Sequence, residues 1–173
     1  MDQKRLVQTA QALVAEGKGI LAADESSGTI KRRFDTINVE STEENRRNYR
    51  EMLFRTAGVN EFISGVILFD ETIRQAGADG TEMVNVLSDQ GIIPGIKVDK
   101  GTVPLPEAPD ELVTEGLDGL RDRLSEYNEL GAGFTKWRAV ISISENTPTP
   151  YGLAANAHAL ARFAALSQEA GLV

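Results

Sequence analysis

The sequence predicts an α/β fold built on a parallel sheet. Short apolar runs alternate four times with segments of helical period, the signature of successive βαβ units. Two of the runs are nearly continuous rather than alternating, as strands in parallel sheets are. Glycine or proline closes most of the segments.

Residues 3–16 place Leu6, Val7, Ala10, Leu13 and Val14 at helical spacing, and Gly17 ends the pattern. The run from Gly19 to Ala23 reads as a buried strand entering a polar loop at Asp24. Residues 41–57 predict a helix capped by Ser41, with Glu44 three residues on and Gly58 closing it. Residues 62–69, FISGVILF, predict a strand covered on both faces. A short helix fits 80–88, and a third strand fits 92–99, although Pro94 weakens its start. Three prolines between Thr102 and Pro109 predict a loop. Leu117, Leu120, Leu124, Tyr127 and Leu130 line one helical face that stops at Gly131. Residues 134–143 predict a fourth strand, and 146–150 a loop. An Ala-rich helix follows until Gly171, and Leu172-Val173 reads as the start of a fifth strand. Four units in 173 residues extrapolate to roughly 350 for eight, within the range of (β/α)₈ barrels. The expectation is therefore a TIM-type half barrel, with residues 1–173 forming the N-terminal half of a single barrel domain.

Composition narrows the function. The net charge is −8, with 18 Lys plus Arg against 26 Asp plus Glu. That balance argues against a broad nucleic-acid surface. The absence of cysteine excludes a disulfide scaffold and thiolate chemistry, and the single His158 excludes a two-histidine metal site within one chain. No apolar run reaches membrane-spanning length, and the N-terminus lacks a signal-peptide stretch, so no membrane partner and a cytoplasmic setting are expected. No metal and no cofactor is expected.

The informative anomaly is charge within apolar strands. In Ile96-Lys97-Val98-Asp99 the two charges share a face, as do Lys136 and Arg138 around Trp137. Asp24 ends the first strand. Burying unpaired charge is costly, and in a parallel barrel the strand ends converge on one mouth. Asp24, Lys97, Asp99, Lys136 and Arg138 then form either a structural ion-pair cluster or a site for an anionic substrate with a tuned lysine. Ser26, Thr29 and Lys31-Arg32-Arg33 add hydroxyls and cations that suit phosphate, although such a stretch also occurs as a simple turn beside a solvated face. His158 and Trp137 read as packing or surface residues, and Arg46 and Arg47 as surface ion pairs.

At these residues the chain resembles class I fructose-bisphosphate aldolase, the metal-independent Schiff-base enzyme. The matching blocks are GKGILAADESSGTIKRRF (17–34), STEENRRNYREMLF (41–54), GVILFDETIRQ (65–75), GIIPGIKVDKGTVPL (91–105), the run TEGLDGLRDRLSEYNELGAGFTKWRAVISI (114–143) and LARFAALSQEAGLV (160–173). The resemblance implies a (β/α)₈ barrel that reversibly cleaves fructose 1,6-bisphosphate to dihydroxyacetone phosphate and glyceraldehyde 3-phosphate. It implies that Asp24 is the acid/base aspartate beside the imine, that Lys136 assists carbinolamine chemistry, and that Arg138 orients substrate. It places Lys97, Ser26 and Thr29 near the C6 phosphate, Arg33 at the C1 phosphate and Arg46 as a substrate contact. Thr29 stands where many relatives have serine, and the hydroxyl is kept. The family's Schiff-base lysine lies on a later strand, and none of Lys4, Lys18, Lys31, Lys97, Lys100 or Lys136 matches its context. The isolated chain is therefore expected to be inactive. The alternative is a non-catalytic half barrel that binds phosphosugar or assembles with another subunit. Full-length relatives are homotetramers.

Overall fold

The computed structural model describes residues 2–173. The chain runs α1 (Gln3–Leu13), β1 (Gly19–Ala23), α2 (Ser27–Asp35), α3 (Glu43–Phe54), α4 (Val59–Phe62), β2 (Ile63–Leu68), α5 (Asp70–Ile73), α6 (Met83–Ser88), β3 (Ile93–Lys97), β4 (Thr102–Leu105), β5 (Ala108–Thr114), α7 (Leu120–Glu129), β6 (Phe134–Lys136) and α8 (Pro150–Glu169). Strands β1, β2, β3 and β6 form one sheet in that order, every pair parallel. No helix among the described residues is long and apolar enough to cross a membrane.

The register sets the two faces. Paired residues in a parallel sheet point the same way, and successive residues alternate. Ala23, Val66, Leu68 and Ile96 are fully buried and pack with Met83, Leu87, Leu120 and Leu124 of the helices. This is the main core. The opposite face carries Ile20, Ala22, Ile67 and Ile93, apolar residues that nothing fully covers. Strand β2 is therefore closed by helices along one face and only in part along the other, where Leu13 of α1 reaches it, not on both faces throughout as its composition suggested. Gly65 and Gly95 on that second face make room for Leu13 and for the Phe134 ring.

Four local expectations are corrected. The helix after residue 41 is capped by Thr42, whose hydroxyl accepts the Asn45 N–H at 3.1 Å, and it ends at Phe54. Gly58, at φ +76°, opens α4 rather than closing α3. Residues 24–29 are not a plain loop: Ser26 caps α2. Thr102–Pro109 is not a loop but part of an antiparallel hairpin, β4 with β5. A two-stranded ribbon has only outer edges, so proline's missing N–H is tolerated there. Glu107, at φ +61°, makes its turn.

The fourth strand is also shorter than its apolar run. It stops at Lys136, where Val98 N–H donates to the Lys136 carbonyl at 3.1 Å. Trp137 then stacks on Phe163 of α8 at 5.2 Å, which draws the chain away from the sheet. Trp137 thus packs against the helices, and His158 is exposed. Val173 does pair beside β6: its N–H donates to Gly133 O at 3.2 Å, and its carbonyl accepts from Thr135 N–H at 2.7 Å.

Candidate active site

The C-terminal ends of all four parallel strands open on one cleft of about 850 Å³. Such edges are where α/β proteins place ligands. Asp24, Lys97, Asp99, Lys136 and Arg138 all line it, as do Ser26 and Thr29. The register explains the meeting of the lysines: Lys97 is paired directly with Lys136. Asp99 and Arg138 lie just past the strands, and both still reach the cleft.

Each lysine has its own carboxylate. Lys136 Nζ donates to Asp24 Oδ2 at 2.7 Å. Lys97 Nζ donates to Asp99 Oδ1 at 2.8 Å and to the Asp99 carbonyl at 2.7 Å. Asp99 Oδ1 also accepts from Gly101 N–H at 3.1 Å, which ties the base of the hairpin to this pair. Asp24 follows β1 and Lys136 ends β6, the two outer strands of the sheet. Three strand spacings would hold them about 14 Å apart in a flat sheet, so their contact requires a strongly curled one.

Ser26 and Thr29 sit at the N-terminal end of α2, with their hydroxyls 3.2 Å apart. An N-terminal helix turn favours anions. Arg138 is held through its carbonyl, which accepts from the buried Thr114 hydroxyl at 2.6 Å. Six cations and five carboxylates line the cleft. A chain of net charge −8 therefore concentrates its cations here.

Arg33 and Arg46 do not line the cleft. Arg33 pairs with Glu25. Arg46 Nε donates to Glu71 Oε2 at 2.8 Å, and its Nη1 reaches the Ser41 carbonyl. Between them lies Arg50, fully buried, with Glu25 and Glu71 carboxylate oxygens 3.9 and 3.8 Å away. Burial pulls the Arg50 guanidinium below its ordinary range, and Glu25 and Glu71 oppose that.

The Arg46 hydrogen bond holds the Glu71 carboxyl below its ordinary value of 4.5. A carboxylate depressed in the folded state stabilises above its unfolded pKa, and the gain is lost as pH falls through the folded one. Glu71→Gln should therefore lower the urea midpoint at neutral pH. The gap between variant and parent should close as the pH falls below the ordinary glutamate value of 4.5. A gap that persists in acid would contradict this account.

Sequence reasoning missed Asp70, Arg74, Arg123 and Tyr127, which also line the cleft. The Tyr127 hydroxyl donates to Asp70 Oδ1 at 2.8 Å, and Arg74 holds the same oxygen at 3.0 Å. Burial pushes the Asp70 carboxyl up, but its bonds to Arg74 and Tyr127 outweigh this and leave it lowered. Burial and then Asp70 push the Tyr127 phenol up. Arg123 donates to the Val98 carbonyl at 3.0 Å and to Gly116 O at 2.5 Å.

A parallel sheet flanked by helices, with paired lysines and carboxylates brought to one cleft at its C-terminal edge, defines an α/β protein. The family model "Fructose-bisphosphate aldolase class-I" matches residues 5–173. The chain belongs to this family. It is 61% identical over 173 residues to a probable fructose-bisphosphate aldolase class 1 of Xanthomonas campestris, covering 100% of this chain and 52% of that protein. It is 56% identical over 171 residues to the fructose-bisphosphate aldolase of Dictyostelium discoideum, covering 97% and 48%. The fold matches a structure of fructose-bisphosphate aldolase from Plasmodium falciparum, in complex with TRAP and a small-molecule inhibitor. There the TM-score is 0.95 and the identity 52%, over 98% of this chain and 50% of that one. The chain spans about half the length of the curated relatives it matches.

Proposed function

We propose that the chain supplies the N-terminal, phosphate-binding and acid–base part of a class I fructose-bisphosphate aldolase, residues 1–173 being four βα units of one barrel domain. The reaction is reversible cleavage of fructose 1,6-bisphosphate through a Schiff base. The observation that carries this reading is the Asp24–Lys136 contact at 2.7 Å across the sheet, beside Lys97. It supports a curled sheet and a shared cavity at once. In this reading the Lys136 ammonium gives a proton to the hydroxyl that leaves a carbinolamine as water, and Asp24 holds that ammonium in place. Arg138 orients the sugar. Lys97, Ser26 and Thr29 receive the C6 phosphate as a dianion suited to cations and hydroxyls. Arg33 and Arg46 contact substrate only after leaving Glu25 and Glu71.

No lysine here matches the family's imine position, so the isolated chain binds but does not react. Two measurements test this. Borohydride trapping with dihydroxyacetone phosphate should label no lysine; an adduct on any of them overturns the inactivity. Titration with fructose 1,6-bisphosphate should show binding that Lys97→Met weakens by about tenfold or more. Binding unchanged by that substitution would sink the assignment of the cleft.

A second reading is favoured by the sheet face that carries Ile20, Ala22, Ile67 and Ile93. Ile20 remains 43% exposed, and an uncovered apolar sheet face favours association. In this reading the chain is a non-catalytic half barrel that assembles with another subunit. A clean monomer in sedimentation would count against it.

A further inference from the structure

The side chain least explained by the cleft is Arg50. It is 0% exposed, sits on α3, and does not itself line the cavity. Its Nε donates to the Ala23 carbonyl at 3.1 Å, and its Nη2 donates to the Glu25 carbonyl at 2.6 Å. These two carbonyls flank Asp24. We infer that Arg50 is a positioning residue for Asp24, clamping the backbone on both sides of it so that its carboxylate meets Lys136.

Several facts support a dedicated role. A buried guanidinium is costly, and a carbonyl at a strand end can be satisfied by water or by a smaller donor. Only arginine offers a rigid planar fork that bridges two acceptors. Its counter-ions are arranged from both sides: Glu25 is shared with Arg33, and Glu71 with Arg46. The Phe69 ring covers it at 6.0 Å. The ladder Arg33–Glu25–Arg50–Glu71–Arg46 thus braces the back of the strand end whose front carries Asp24. Asp24 is the first residue past β1, with no ladder bond of its own to hold it.

This inference rests on the proposed acid–base reading of Asp24 and Lys136, and the test separates the two. The thermal midpoints of Asp24→Asn, Lys136→Met and the double variant are measured with Arg50 present and again with Arg50→Lys. With Arg50 present, the double variant should depart from additivity by about 2 °C or more. With Arg50→Lys, which keeps the charge and loses the fork, the departure should vanish. An equal departure in both backgrounds overturns the positioning role, because a merely structural arginine lowers every midpoint together. Additivity already present with Arg50 in place overturns the Asp24–Lys136 reading itself, and this inference with it. If Arg50→Lys does not fold, nitrogen NMR of the unmutated chain decides. A guanidinium held on both carbonyls shows a slowly exchanging Nε proton and separate Nη signals, whereas averaged Nη signals refute the clamp.

Discussion

Gly95→Ala should destabilise the chain by about 3 kcal/mol and lower its thermal midpoint by about 6–12 °C. A β-carbon at Gly95 would stand 2.2 Å from Phe134 Cζ and 2.4 Å from Cε1. Phe134 is paired directly with Gly95 across β3 and β6 and is only 5% exposed. On the neighbouring strand the same ring lies beside Gly65, where an added β-carbon would stand 3.0 Å from Phe134 Cε1. The new methyl must therefore move a strand or force the ring off its rotamer. Phe134→Leu should recover part of the loss in the double variant. Melting followed by circular dichroism checks this, and a parent-like midpoint would show that the ring is not seated over Gly95. The effect reaches the site, because Phe134 lies two residues before Lys136 and on the same face.

Glu111→Ala should cost about 3 kcal/mol. Glu111 is a 4% exposed carboxylate on β5 whose hydrogen-bond partners are neutral. It accepts from Thr149 N–H at 3.0 Å and from the Thr149 hydroxyl at 2.5 Å. Thr149 is the cap of α8, and its hydroxyl accepts from Gly152 N–H at 3.0 Å. The first turn of α8 therefore stabilises the charge, and the carboxylate fastens the hairpin to the helix. Asn156 adds a second tie to the Leu112 carbonyl at 2.9 Å. Removing the carboxylate leaves two half-buried donors of Thr149 without this partner. Urea unfolding reads the cost, and hydrogen exchange should rise first in β4 and β5. Slow exchange retained there would show that Asn156 suffices. Gly152 has no side chain for a related reason: a β-carbon would lie 2.0 Å from Glu111 Oε1.

The parallel sheet and the meeting of Asp24, Lys97 and Lys136 were legible because both rest on alternation along strands. Charge in an apolar run stands out, and the pleat decides its direction. Asp70, Arg74 and Arg123 were not legible, since charges on short amphipathic segments read as solvated. Tyr127 was correctly placed on a buried helical face, but its hydroxyl has a partner 57 positions away. Arg50 sits in ENRRNYREMLF, which reads as a charged surface helix. Only the docking of α3 against the end of β1 buries it. Thr102–Pro109 was misread because proline counts against a strand only where the strand has neighbours on both sides. The run after Lys136 was misread because its apolar residues serve α8 and not the sheet.

The pairing of Lys97 with Lys136 has a consequence for how this chain can change over time. A strand's side chains swap faces when it slips by one position. One residue gained or lost ahead of β3 would send Lys97 among the helices and turn Ile96 toward water. Insertions there are penalised twice, in folding and in chemistry together. Length can drift freely only where no pleat transmits it, as at the tip of the hairpin around Glu107.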